Sequence, residues 1–105
     1  WILNMPNATL FMGCVGQDSY AEIIKQKAQE TGMRTLFQVS NQAPTAKCAV
    51  LLTEKNRSLV CHLGAANHFK ADFLDQENNW PLIENAQMYY FTVSNVMKNI
   101  FLILI

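Results

Sequence analysis

The stretch from Thr9 to Gly32 constrains this chain more than any other. Thr9-Leu10-Phe11-Met12-Gly13-Cys14-Val15-Gly16 reads as a buried strand that runs into a glycine turn. Ser19, with Glu22 three residues on, has the pattern of a capping box and opens a helical period. Ile23, Ile24 and Ala28 make a narrow apolar stripe on that helix, while Lys25, Lys27 and Glu30 face water. Gly32 is placed to end it, because glycine accepts the left-handed conformation that helix ends require. A second short strand is expected over Thr35 to Val39. Strand, helix and strand in this order predict an α/β fold with a parallel core.

Ser40 to Thr45 is a polar loop with Pro44. Cys48 to Thr53 and Ser58 to Leu63 read as two strands joined by the polar turn Glu54-Lys55-Asn56-Arg57, a hairpin over about 46–63. Residues Phe69 to Asn85 are expected to be helical in parts, with a break at Pro81. Met88 to Val93 is a further strand, and Ser94 is placed to cap a last short helix. The final six residues, Ile100 to Ile105, are all apolar. A membrane helix needs about 20 such residues, so a buried parallel strand is the simpler reading, beside a cut-off hydrophobic segment or a gene-model artefact. Left exposed, so apolar a run would invite aggregation.

The 105 residues include eight Lys+Arg and eight Asp+Glu, which sum to zero formal charge. That balance argues against a dedicated nucleic-acid binder, which carries a basic excess. The cysteines are Cys14, Cys48 and Cys61: an odd number without a CxxC pair, so neither a disulfide framework nor a zinc site is expected. Reduced, mostly buried thiols in a cytoplasmic protein are the simple expectation. There is no initiator Met and no basic-then-apolar leader, so the natural start is expected upstream of Trp1.

Several motifs carry a resemblance. Gly13-Cys14-Val15-Gly16-Gln17-Asp18 looks like the G-x-[IV]-G-x-D turn of ribokinase-like (PfkB) kinases. Pro44-Thr45-Ala46-Lys47-Cys48-Ala49, then Asn56-Arg57-Ser58-Leu59, then Leu63-Gly64-Ala65-Ala66-Asn67 resembles the adenosine kinases among them. So does Asn79-Trp80 with Leu82, Ile83, Glu84 and Ala86. The resemblance implies a ribokinase-like parallel sheet with a small β lid, incomplete at both ends, over 1–94, followed by a divergent apolar tail over 95–105. It implies ATP-dependent phosphorylation of adenosine to AMP with Mg2+, in purine salvage, by a cytoplasmic or nuclear monomer with no nucleic-acid or membrane partner.

The resemblance also assigns residues. Cys48, Leu59, Cys61 and Leu63 match positions that contact the nucleoside, and the last three, alternating along one strand, would share a face. Without the resemblance, those three read as the inward side of a hairpin. Phe91 matches an aromatic that packs on adenine. Arg57 matches an arginine beside the transferring phosphate, a role suited to the two-pronged guanidinium. Asn56 matches a residue associated with magnesium. Lys55 stands where the family has an acidic residue, and an ammonium there opposes a bound cation. His62, expected to be exposed, and His68 are assigned no role.

The departures bear on activity. The Gly-Gly-x-x-x-Asn element and the Asp-Thr-x-Gly-Ala-Gly-Asp motif, with its catalytic aspartate, do not occur among these residues. No catalytic residue is therefore assigned, and this chain alone is expected to be inactive. After Tyr90 the likeness breaks, as though several residues were deleted. Two other readings stand beside the kinase segment: a non-catalytic product that docks through its hairpin edge, and a piece of a kinase for another nucleoside or a sugar.

Overall fold

A computed structural model describes the backbone of residues 5–94 and 97–104 and the side chains of residues 5–90. The predicted strand–helix–strand unit is present. Strand β1 spans Leu10–Val15, helix α1 spans Ser19–Glu30 and strand β2 spans Arg34–Val39. β1 and β2 are parallel, with Leu10 opposite Arg34 and Val15 opposite Val39. The helix is capped by Asp18 rather than Ser19: the Asp18 carboxylate accepts the Ala21 amide at 3.0 Å. Gly32 (φ 71°) closes the other end. The Met33 amide reaches Ala28 carbonyl and the Gly32 amide reaches Gln29 carbonyl, which is the Schellman arrangement.

Helix α1 buries Ala21 and Ala28, whereas Ile23 is 52% exposed and Ile24 is also exposed. The predicted stripe is thus buried only at its small members. The core lies under β1, where Leu10 and Met12 pack with Leu36, Leu74, Ile83 and Ala86. Phe11 and Phe37 meet edge to face across β1 and β2, with ring centroids 5.8 Å apart.

Strands β3 (Lys47–Thr53) and β4 (Asn56–His62) form a separate antiparallel two-stranded sheet. Two 3-10 turns follow, Gly64–His68 and Ala71–Phe73, and then helix α2, Trp80–Glu84. Pro81 does not interrupt this helix. It lies in the first turn, where the missing N–H costs nothing. Most of the helicity expected over Phe69 to Asn85 is therefore 3-10 or turn. Asn79 explains the compact path: its side-chain amide is buried and donates to the Phe73 carbonyl at 2.6 Å.

Strand β5 spans Tyr89–Ser94 and strand β6 spans Met97–Leu104, so Ser94 ends a strand instead of capping a helix. The main sheet has the order β2-β1-β6-β5. The apolar tail is a strand, but an antiparallel one, inserted between β1 and β5. Among the described residues only β1–β2 supplies the parallel pairing, and the sheet is mixed. β6 pairs with β5 along most of its length and with β1 only over Leu102 to Leu104, so only that end is covered on both edges. Among the described residues no helix is long and apolar enough to cross a membrane.

Candidate functional site

The hairpin is tighter than its polarity predicts. Its connection is two residues, Glu54 and Lys55, with Glu54 at φ 54°. Asn56 and Arg57, expected in the turn, are paired strand residues opposite Thr53 and Leu52. Opposed residues share a face and successive residues alternate between faces. One face of the hairpin therefore carries Cys48 and Cys61, then Val50 and Leu59, then Leu52 and Arg57. The other carries Lys47 and His62, Ala49 and Val60, Leu51 and Ser58, Thr53 and Asn56.

That register sorts the sequence candidates. Cys48, Leu59, Cys61 and Arg57 come together on one face. Asn56 falls on the opposite one. Leu63 lies past the end of β4, in helical geometry at the start of the first 3-10 turn, so it does not continue the alternation. The side chain of Phe91 lies outside the described residues; its backbone pairs with Leu102 in the main sheet. Val50 and Leu52 join the candidate face, and they become visible only once the two-residue turn fixes the pairing. The strip is uncovered: Val50, Leu52 and Leu59 are 52%, 77% and 58% exposed.

The expectation of reduced, mostly buried thiols holds only for Cys14, which is buried and whose thiol is pushed up by that burial. Cys48 and Cys61 are exposed and joined as a disulfide. Their Cα atoms are 4.1 Å apart, the close spacing of a directly opposed antiparallel pair. His62 is exposed, as expected.

A polar latch fixes where the hairpin leaves the main sheet. The Thr45 hydroxyl is buried, donates to Asp18 at 2.6 Å and accepts the Gly16 amide at 3.0 Å. The Thr45 amide donates to the second Asp18 oxygen at 2.8 Å. Gly16 has no room for a side chain, since a Cβ there would lie 2.7 Å from the Ala43 carbonyl oxygen and the Thr45 nitrogen. Gly64 (φ 45°) closes on the same loop from the other side, and the Ala65 amide donates to Pro44 carbonyl at 2.8 Å. The Lys47 ammonium sits 3.9 Å from the centre of the Tyr20 ring, a further tie between α1 and the hairpin. Both glycines and Asp18 belong to the motifs singled out in the sequence. Thr45 joins Asp18 and Gly16 across 27 and 29 residues, and Gly64 meets the adjacent Pro44; none of these contacts has a local signal.

The latch makes an acid-dependence prediction. The Thr45 hydroxyl bond, with the Thr45 and Ala21 amides and nearby Lys47, holds the Asp18 carboxyl below its ordinary value. A group with a depressed folded value stabilises the fold above its unfolded value, and that stability is lost as the pH falls through the folded one. Urea midpoints taken downward from about pH 5 should fall more steeply for the native chain than for Asp18→Asn. Parallel slopes would contradict the latch.

Chemically, the candidate face offers apolar area and one guanidinium. It has no carboxylate or imidazole to accept a hydroxyl proton, so it can bind and orient but not transfer. The residues present do not fit a magnesium ion either. Asn56 adjoins the Lys55 ammonium, and among the described residues no three of His, Cys, Asp or Glu gather to hold a metal. A concavity of about 500 Å³ lies elsewhere, lined by Leu10, Lys25, Gln29, Arg34 and Leu82 among others. It contains none of the sequence candidates. It is open to solvent beside the end of α1.

Comparison with known proteins identifies the family and the fold. The pfkB family carbohydrate kinase profile matches residues 3–101, a span that runs past Ser94. The adenosine kinase of Schizosaccharomyces pombe is 45% identical over 87 residues, covering 81% of this chain and 26% of that protein. The structure of Anopheles gambiae adenosine kinase in complex with P1,P4-di(adenosine-5) tetraphosphate superposes with a TM-score of 0.80 at 42% identity, covering 83% of this chain and 26% of that one. Schistosoma mansoni adenosine kinase in complex with 2-fluoroadenosine gives a TM-score of 0.78 at 36% identity, with the same coverage. This chain belongs to the pfkB family of carbohydrate kinases. It is similar to the adenosine kinases within it, and it spans about a quarter of the length of the curated relatives it matches.

Proposed function

We propose that this chain is the lid-bearing segment of an adenosine kinase and that it contacts adenosine without transferring a phosphoryl group by itself. The observation that carries this reading is the shared hairpin face. Cys48, Leu59 and Cys61 form an apolar strip with Arg57 at its outer end, on a fold similar to adenosine kinases. In this reading the strip lies against the purine base, and Arg57 reaches toward the phosphate being transferred. Leu63 lines the base of the lid, and Phe91 packs on the adenine.

The longer kinase would take the γ-phosphoryl group of ATP to the 5′-hydroxyl of adenosine, with Mg2+, and release AMP. Such transfer depends on positioning and charge stabilisation. The proton acceptor and the phosphate-holding amides are not among these residues and belong to the rest of that protein. We place it in the cytoplasm or nucleus, as a monomer acting in purine salvage without nucleic-acid or membrane partners.

The test is AMP formation. The pure 105-residue chain, given adenosine, ATP and magnesium, should form none above a protein-free blank. A chain extended to include Asp-Thr-x-Gly-Ala-Gly-Asp should form it. AMP from the short chain would overturn the inactive reading, and none from the extended chain would overturn the substrate assignment.

A further inference from the structure

We propose that Cys48 and Cys61 are a reversible dithiol–disulfide couple that locks and releases the hairpin, with small-molecule disulfides such as oxidised glutathione as the oxidant. The proposal concerns two residues of the candidate nucleoside face but does not depend on the nucleoside reading.

Three observations carry it. First, seven consecutive residue pairs set the β3–β4 register and place Cys48 directly opposite Cys61, which holds the two sulfurs within bonding reach. Second, both cysteines are exposed on an uncovered face, where a small disulfide or thiol can reach either sulfur. Access of this kind separates labile disulfides from inert structural ones. Third, the remaining thiol, Cys14, is buried in β1 and cannot compete for the exchange.

The device has a mechanical purpose. An isolated two-stranded hairpin is marginal in water, and this one is exposed along both strands. The disulfide lies at its base, next to the Thr45 latch, and fastens the two strands where they leave the main sheet. Reduction leaves only the backbone ladder to hold them.

The exchange balances. The thiolate of one cysteine attacks a sulfur of the small disulfide RSSR, forming a mixed disulfide and expelling one RS⁻, which takes up the proton lost by that cysteine. The second cysteine, as thiolate, attacks the protein sulfur of the mixed disulfide. The Sγ–Sγ bond forms and a second RSH leaves. Overall, two protein thiols are oxidised and RSSR is reduced to two RSH.

The test equilibrates the 105-residue chain in mixtures of reduced and oxidised glutathione, alkylates it without denaturant and weighs it. Across the series, Cys48 and Cys61 should lose labelling together, with the mass lower by two hydrogens and no retained glutathione, while Cys14 stays unlabelled. In Cys48→Ser and Cys61→Ser, the remaining cysteine should instead keep a glutathione adduct. Hydrogen exchange of β3 and β4 amides should slow on oxidation by at least about tenfold. A bond that persists, or never forms, at every glutathione ratio would overturn the proposal. So would separate stable adducts on the two cysteines in the native chain, or exchange unchanged by oxidation. Labelling of Cys14 as fast as the others would show that β1 is not held, and would overturn it as well.

Discussion

Gly64→Val is expected to be the most damaging single change at the base of the hairpin. Gly64 has φ 45°, a region in which a β-branched side chain is strained. A Cβ built there also overlaps the carbonyl oxygen of Pro44, and this is backbone that cannot swing aside. Relieving the overlap means separating the two loops, which breaks the bond from the Ala65 amide to Pro44 carbonyl and disturbs Thr45 next to it. Backbone strain of this kind costs about 1–3 kcal/mol, and an unsatisfied buried group adds about 1–3 kcal/mol. Together they give a loss of about 2–6 kcal/mol. Gly32→Ala is the control. It shares the left-handed conformation (φ 71°), but its Cβ would meet only Pro6 atoms at 3.3 Å, so the expected cost is about 1–2 kcal/mol. Urea denaturation of both variants separates strain from collision. Equal losses would mean that the Gly64–Pro44 contact does not fasten the hairpin.

The second large effect is expected at Met12→Ala. Met12 is the largest fully buried side chain among the described residues, at 0% exposure. It occupies the middle of β1, within the cluster that joins Leu36 of β2 to Leu74, Ile83 and Ala86. Truncation removes apolar contacts and leaves a cavity that the surrounding strands can only partly close. The expected cost is about 2–5 kcal/mol, a large share of the 5–15 kcal/mol typical of a whole domain. Leu52→Ala removes a comparable side chain that is 77% exposed and should change stability by less than about 0.5 kcal/mol. The urea midpoint should fall for Met12→Ala with an unchanged slope. A midpoint like that of Leu52→Ala would mean that β1 is not the centre of the core.

The parts of the fold that were legible in the sequence are those whose cause is local. β1 and β3 announce themselves as apolar runs, β2 as a short β-prone stretch, and Gly32 supplies the helix end that its conformational freedom suggests. The misreadings share a different cause. Asp18 and Ser19 are both competent caps, and the choice is made by Thr45, 27 residues away, which engages both Asp18 oxygens. Asn56 and Arg57 read as turn residues because they are polar. A two-stranded sheet exposed on both faces imposes no hydropathy pattern, so strand and turn polarity are indistinguishable there. Leu63 continued the alternation on paper, but the turn at Gly64 takes it out of the strand. The disulfide was unreadable for the same reason as the face: it depends on the register of β3 against β4, which the turn length sets. The antiparallel insertion of β6 beside β1 is likewise a long-range choice with no local cause.

Ile23 and Ile24 illustrate the other limit. Their spacing marks a burial face, yet the side chains that α1 buries are the small ones of Ala21 and Ala28. Periodicity located the helix correctly and identified its buried face only in part.

The candidate nucleoside face is tested most directly by methyl-resolved NMR of the chain during titration with adenosine. Val50, Leu52 and Leu59 share one face of the hairpin, and Leu51 and Val60 share the other. The five methyl-bearing side chains lie in the same two strands and differ mainly in the side they present. The account predicts that the Val50, Leu52 and Leu59 methyl signals move with adenosine concentration and that those of Leu51 and Val60 stay in place. Movement confined to Leu51 and Val60, or no movement at any hairpin methyl, would contradict it.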